Sequence, residues 1–265
     1  MNTSKTFILV PARLNSERIK KKMIKKFSDG TTVIGRTIDQ CKKTKIETFL
    51  ITDSKEVSNE VNLPPENIFI EKRGKSGTER LSYFLNNHNH NINDEDYCLI
   101  VLGDQPEIEV ELIKMIQKKA EEINKLEGVS GLTFHFKSNN LQDYLDTKNC
   151  KMIIGKDNIV YYISRSPIPG FKEKEDYKNK EKVEFNQHIS IVCLNAKWIK
   201  EYVNLKAHNP SENNEWLNFI LNDCKIKSFE LDLSIFKYNR DVNTIEDWEY
   251  YDEKYRSFTT NEKFN

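Results

Sequence analysis

The chain has 265 residues, 37% of them hydrophobic, which is enough for one large α/β domain, residues 1–265, with a full core. Its 41 basic and 41 acidic residues cancel, which excludes a global field drawing it to nucleic acid or an anionic membrane and makes any anion site local. No apolar run approaches the ~20 residues that span a bilayer, and residues 1–6 lack an apolar leader core, so the expectation is a cytoplasmic protein with neither nucleic acid nor membrane as partner.

Residues 7–10, FILV, read as a short buried strand that Pro11 ends, because its ring removes a ladder donor. The next loop gathers Arg13, Ser16, Arg18 and Lys22, the guanidinium forks, hydroxyl and ammonium that a triphosphate requires. The alternative is a solvated basic loop, to which several of Lys20, Lys21, Lys22, Lys25 and Lys26 would belong. A turn at Ser28-Asp29-Gly30 precedes a helix over 33–41, then come a strand over 48–52, a short helix over 55–61, a break at Pro64-Pro65 and a strand over 68–70. Strand and helix alternate, the pattern of a mostly parallel sheet covered by helices.

The string RGKSGTERL, residues 73–81, places Lys75, Ser76, Gly77 and Thr78 just before a helix over 78–85. Small residues there aim backbone donors at an oxygen-rich ligand, or Ser76 or Thr78 simply caps the helix. His88 and His90, in an Asn-rich tract, read as a polar surface loop rather than a metal site. Residues 97–102, YCLIVL, form the clearest buried strand, followed at once by Gly103-Asp104-Gln105-Pro106. A carboxylate at that strand end is placed to hold Mg²⁺, and the plainer reading is an Asp-initiated turn.

An amphipathic helix over 108–126 leads to a strand over 131–136, a polar linker to about residue 148, and a hairpin of strands 152–154 and 159–163. Arg165 lies in the following SRSPIP, where its fork suits a carboxylate. Residues 171–184 read as a mobile solvated loop, 187–192 as a strand and 196–202 as a helix. After a break near Asn209-Pro210, Ser211 caps a further helix that buries Trp216, Leu217, Ile220 and Leu221. Thr244, Glu246 and Asp247 cap a last helix. The five cysteines are scattered and read as reduced core residues.

Several of these strings resemble the cytidylyltransferases that activate sugar acids, the CMP-sugar synthetases. Pro11-Ala12-Arg13 with Ser16, Arg18 and Lys22 is similar to the family's PAR-x-x-S-T-R-L-P-x-K, although Glu17, Lys20 and Lys21 stand where the family has Thr, Pro and Gly. SGTERL matches S-G-T-[DE]-R-L, GDQP matches G-D-[EQ]-P, SRSPIP resembles S-R-[AS]-x-I-P, and Gln187-His188-Ile189 resembles R-H-[IL]. Glu212, Glu215 and Leu217 fall in a segment similar to L-E-x-x-E-x-L-E-Q-L, whose Glu-Gln pair is absent at Asn218-Phe219. Asp241-Val242-Asn243-Thr244 resembles x-V-D-T, with Asn243 at the metal-binding Asp. Leu102 and Val192 replace the Gln and Tyr of members that act on 3-deoxy-manno-octulosonate, with which the motifs otherwise agree most.

The resemblance implies a mostly parallel, Rossmann-like nucleotidyltransferase (GT-A-like) sheet. A small inserted β-rich subdomain, about 150–205, would serve sugar binding and homodimer formation. It implies that CTP and an acidic sugar react to CMP-sugar and pyrophosphate. Pro11, Ala12, Arg13, Ser16, Arg18, Lys22, Ser76, Gly77 and Thr78 would hold the nucleotide, with Arg13, Lys22 and Asp104 catalytic. Arg165, His188 and Glu212 would hold the sugar, and Asp104 with Asn243 or Asp241 the Mg²⁺. Alternatives are a different acid sugar, sialic-like, legionaminic-like or an amino-octulosonate, and a nucleotide-binding protein without catalysis.

Overall fold

The computed structural model describes residues 4–16, 18–178, 183–206, 212, 214–236 and 241–261. Strand β1 (Thr6–Ala12) lies between β2 (Thr48–Thr52) and β4 (Tyr97–Ile100), with β3 (Ile68–Ile70) beyond β2. The sheet continues from β4 through β8 (Phe185–Asn195) to β5 (Gly131–Ser138) and β9 (Ile226–Glu230). Only β8 opposes its two neighbours, so six of these seven strands run in one direction. The hairpin of β6 (Lys151–Ile154) and β7 (Val160–Ser164) joins β8 through β6 and so extends the same sheet.

Alternation along β1 divides the core into two layers. Ile8, Val10 and Ala12 face α1 (Val33–Lys43) and α4 (Val110–Ile123), meeting Ile34, Ile38, Ile113 and Ile116. Phe7 and Leu9 face α3 (Gly77–Asn87), α6 (Ala196–Glu201) and α7 (Glu215–Leu221), meeting Leu81, Phe84, Ile199 and Phe219. Four cysteines are buried in these layers and all five are free thiols, as expected; Cys150 is half-buried.

Several boundaries differ from the sequence reading. Pro11 does not end β1, which pairs Pro11 with Ile51 and Ala12 with Thr52. Ile8 donates toward β2, so alternation turns the Pro11 nitrogen to the opposite side, where the ladder with β4 has already ended at Leu9–Ile100. The strand starting at Tyr97 stops at Ile100, since the Leu102 amide already donates to Gln105 Oε1 in the next turn. A short helix, α2 (Lys55–Ser58), stops at Asn59. The supposed linker contains α5 (Leu141–Leu145), and β9 fills a stretch to which no element was assigned.

Residues 171–184 are not wholly solvated: Val183 is buried against Tyr144 and Phe185, with Phe171 at their edge, while 179–182 lie outside the described residues. Ser211 also lies outside them, and α7 is capped by Asn214. His88 is no loop residue in water. It packs on Phe69 and Phe84 and meets Glu71 Oε2 at 3.1 Å. Helix α8 (Ile245–Asn261) closes the fold over Phe27 and Val33.

Candidate active site

The chain runs from β1 to β2 and β3 on one side, then returns to β4 on the other, so the point between β1 and β4 is where the sheet order reverses. Open α/β sheets bind ligands at the carboxyl ends of strands flanking such a point. A cavity of about 630 Å³ opens there. Six cationic side chains line it, Arg13, Arg18, Lys22, Lys75, Arg80 and Arg165, against two carboxylates, Asp104 and Glu215. A chain of zero net charge thus carries a concentrated local anion site.

The end of β1 supplies Pro11 and Ala12, and the segment after it Arg13, Ser16, Arg18 and Lys22, to the cavity wall. Asp53, at the end of β2, accepts from the Leu14 amide at 2.9 Å and fixes where this loop departs. Lys21 turns it back with φ +52, a left-handed conformation consistent with a position where the family has Gly. Glu17 lies outside the described residues.

Helix α3 supplies Lys75, Ser76, Gly77 and Arg80 to the facing wall. Ser76 Oγ accepts from the Glu79 amide at 3.2 Å, and Glu79 Oε2 accepts from the Lys75 amide at 2.7 Å. The two readings of this string therefore coincide, since one reciprocal cap shapes the helix start that faces the cavity. Thr78 departs from expectation. It is buried, is not part of the wall, and its hydroxyl donates to Glu215 Oε2 at 2.5 Å, tying α3 to α7.

The floor is Leu102, Gly103 and Asp104. Lys22 Nζ meets Asp104 Oδ2 at 2.5 Å, both side chains being nearly enclosed. Gly103 sits in a tight place, since a Cβ there would stand 3.0 Å from Ile34 Cδ1 and 3.2 Å from Ala12 Cβ. Asn243 lines the same floor, whereas Asp241 sits behind it and accepts from Gln105 Nε2 at 3.1 Å. Burial, then the Asp104 charge, pushes the Asp241 carboxyl well above the usual carboxylate range.

Among the described residues, no three His, Cys, Asp or Glu side chains form a metal cage. The site instead offers Asp104 and Asn243, with Asp241 outside the wall and engaged by Gln105. Such a partial set of hard oxygen donors fits a divalent cation that completes its shell with phosphate oxygens and water.

The remaining wall holds Cys150, Arg165, His188, Ser190, Asn214, Glu215 and Trp216. Thr133 Oγ1 donates to the Ile191 carbonyl at 2.7 Å and lies 2.8 Å from His188 Nε2. With its single proton spent, the hydroxyl accepts from Nε2, which fixes the His188 tautomer with Nδ1 as acceptor. That Nδ1 has no partner among the described residues. Burial lowers the His188 pKa to about 3, so the ring is neutral. Glu212 is not in the wall. Its carboxylate accepts from Ser164 Oγ at 2.5 Å and from the Arg165 amide at 2.9 Å, so it supports Arg165.

Arg80 was missed as a site residue because a basic residue one turn into a helix reads as surface. Its guanidinium instead bonds the Glu71 carbonyl and reaches Asp53 Oδ2 at 3.5 Å. Trp216 packs against the core as expected, stacked on Phe219, and in addition lines the cavity. Cys150 and Asn214 carried no local signal.

A cation-rich cavity with an acidic, oxygen-donating floor at the reversal point of a mostly parallel sheet defines a nucleotidyltransferase. Residues 7–242 match the family described as cytidylyltransferase, and the chain belongs to that family. It is 31% identical over 215 residues to the 3-deoxy-manno-octulosonate cytidylyltransferase of Francisella tularensis subsp. novicida, covering 79% of this chain and 82% of that protein. It is 28% identical over 232 residues to the protein so named from Christiangramia forsetii, covering 84% and 87%. In fold it is similar to CMP:2-keto-3-deoxy-manno-octonic acid synthetase complexed with CTP, with TM-score 0.78 and 20% identity over 98% of this chain and 100% of that one. Similarity to 4-diphosphocytidyl-2C-methyl-D-erythritol synthase from Anaerococcus prevotii is lower, at TM-score 0.54 and 14% identity over 96% of each chain.

Proposed function

We propose that this protein couples CTP to a sugar acid of the 3-deoxy-manno-octulosonate type, giving the CMP-sugar and pyrophosphate. The observation that carries the reading is the convergence on one cavity of the Arg13–Ser16–Arg18–Lys22 loop, the Ser76-Gly77 helix start, Asp104 and Arg165. Arg13, Arg18 and Lys22 bind the triphosphate and offset its charge, while Ser76 and Gly77 present donors to the nucleoside. The acceptor's anomeric hydroxyl attacks the α-phosphorus and pyrophosphate leaves, with Arg165 and neutral His188 orienting the acid. Asp104 and Asn243 would hold Mg²⁺, which would supply charge neutralisation for the triphosphate.

The relatives' names support octulosonate. A different acid sugar is favoured by two features: Leu102 puts an apolar side chain in the floor, and Phe219, at one of the family's sugar-contacting positions, is wholly buried away from the cavity. Location in the cytoplasm accords with five free thiols, and we assign residues 150–205 to sugar binding and a homodimer interface. The test is pyrophosphate release with CTP, UTP, ATP and GTP against a panel of sugar acids. Turnover with CTP and an octulosonate acid is expected. Equal turnover with purine nucleotides would reject the base assignment, and none with any acid would leave nucleotide binding without catalysis.

A further inference from the structure

Lys151 opens β6 with no exposed surface. Its ammonium donates to three main-chain carbonyls, those of Asp146 at 2.7 Å, Asn149 at 2.8 Å and Arg165 at 3.1 Å. Three donors meet three acceptors, and no carboxylate is among them. Burial pushes the Lys151 pKa down, so a core filled by an apolar residue here would avoid a desolvation cost.

The identity of the three carbonyls shows what the charge holds in place. Two belong to the segment 146–149, whose Thr147 carbonyl accepts from Arg165 Nη1 at 3.2 Å. The third is that of Arg165 itself. From the other side Glu212 steadies the same arginine, its carbonyl accepting from Nε at 3.2 Å and its carboxylate from the main-chain N–H at 2.9 Å. With Nε and Nη1 so committed, Nη2 is the part of the fork that the described residues do not engage, and Arg165 forms part of the cavity wall.

We infer that Lys151 is a positioning residue: by knitting the 146–149 segment to the Arg165 backbone it aims the Arg165 guanidinium at the acceptor's carboxylate, and so sets the preference for an acid over its neutral counterpart. The inference rests on the sugar-acid reading above. A guanidinium fork discriminates by direction as well as by charge, so a cradle that drifts loses the selectivity before it loses the site.

The test is calorimetric titration of the full chain with 3-deoxy-manno-octulosonate, with its C1 carboxamide, and separately with CTP. The wild type should bind the acid at least about tenfold more tightly than the amide, the scale of one charge-assisted pair. Lys151→Met, matched in length, should bring the two within about twofold while CTP binding stays within about twofold. Lys151→Gln, which keeps an amide donor for the carbonyls, serves if the methionine variant does not fold, and should show an intermediate ratio. Variants that keep the wild-type ratio, or that lose acid and amide equally, overturn the inference while leaving cytidylyl transfer to octulosonate intact. A wild type that binds neither compound overturns both the inference and the octulosonate reading, and transfer from CTP to some other acceptor would then show that the family activity survives without them.

Discussion

The main-chain N–H of Val242 donates to the carbonyl oxygen of Asp104 at 2.9 Å, joining the loop after β4 to the segment before α8. Two strings 138 residues apart, GDQP and DVNT, are thus held together by a main-chain bond. Gln105 adds a second tie through Asp241. Asp104 and Asn243 face the cavity from either side of this junction.

Asp104→Ala should lower the maximal rate of pyrophosphate release about 100-fold or more, the scale for losing a main electrostatic element of a transition state. Its melting temperature should fall as well, because the nearly enclosed Lys22 is left without its partner. Asn243→Asp should keep or raise activity and lower the metal concentration giving half-maximal rate, whereas Asn243→Ala should raise it. An Asp104→Ala enzyme with the wild-type metal response would reject the ligand assignment.

Lys22 and Lys25 are three residues apart yet differently placed. Lys22 is enclosed against Asp104, while Lys25 Nζ lies 3.9 Å above the Trp248 ring, outside the cavity wall. Lys22→Ala or Arg13→Ala should abolish turnover or weaken CTP binding severely. Lys25→Ala should leave both within about twofold and cost about 0.5–1 kcal/mol of stability, as loss of an exposed cation–π contact does. Lys25 was expected to be merely solvated. Equal losses in all three variants would reduce the loop to a basic patch.

Neutral His188 makes stability fall with acid. Its pKa is lowered from 6.5 to about 3 in the folded chain, so between those values the unfolded chain binds more protons and unfolding is favoured as pH drops. Buried Glu71, lowered to about 2, chiefly by its bonds to Arg73 with a smaller share from His88, adds to the loss below its ordinary value of 4.5. Chemical denaturation should show stability declining from about pH 6.5 downward, by up to ~1.4 kcal/mol per unit from this histidine. A His188→Asn variant should show a flatter profile from pH 6.5 to 5. An unchanged slope would mean that His188 is protonated in the folded chain.

Thr78→Val keeps the shape of the α3 start but removes the donor to Glu215. Glu215 Oε1 already has no hydrogen-bond partner among the described residues, so this change would leave the carboxylate without one there. A stability loss of ~1–3 kcal/mol is expected. Because the bond joins α3 to the helix bearing Trp216, and both line the cavity, the KM values for CTP and for the sugar acid should rise together. A rise for CTP alone would return Thr78 to the nucleoside pocket.

What was legible beforehand follows distance along the chain. Arg13, Ser16, Lys22, Ser76 and Asp104 lie within a few residues of a strand or helix end, so local strings located both the element and the group it presents. The alternation of strand and helix likewise gave the parallel half of the sheet. The missed features depend on remote partners. Pro11 stays in β1 because of where β4 stops pairing, Thr78 turns inward because Glu215 waits 137 residues later, and Lys151 is buried because three carbonyls from two segments close around it. Strand β9 was overlooked because five residues with one exposed flank give little periodic signal.

Helix α8 lies wholly beyond the span 7–242 that marks this chain as a family member. Yet Tyr255 meets Phe27 edge-on at 4.9 Å, Trp248 stacks on the same ring at 5.6 Å, and Asp252 Oδ2 accepts from Ser28 Oγ at 2.8 Å. These contacts brace the strip of chain that leaves the phosphate-facing loop. A domain boundary drawn where resemblance fades would cut off Asn243 and the brace together. Fusions, deletions and transplanted loops are therefore better joined beyond residue 261, since the catalytic unit extends further than the shared sequence.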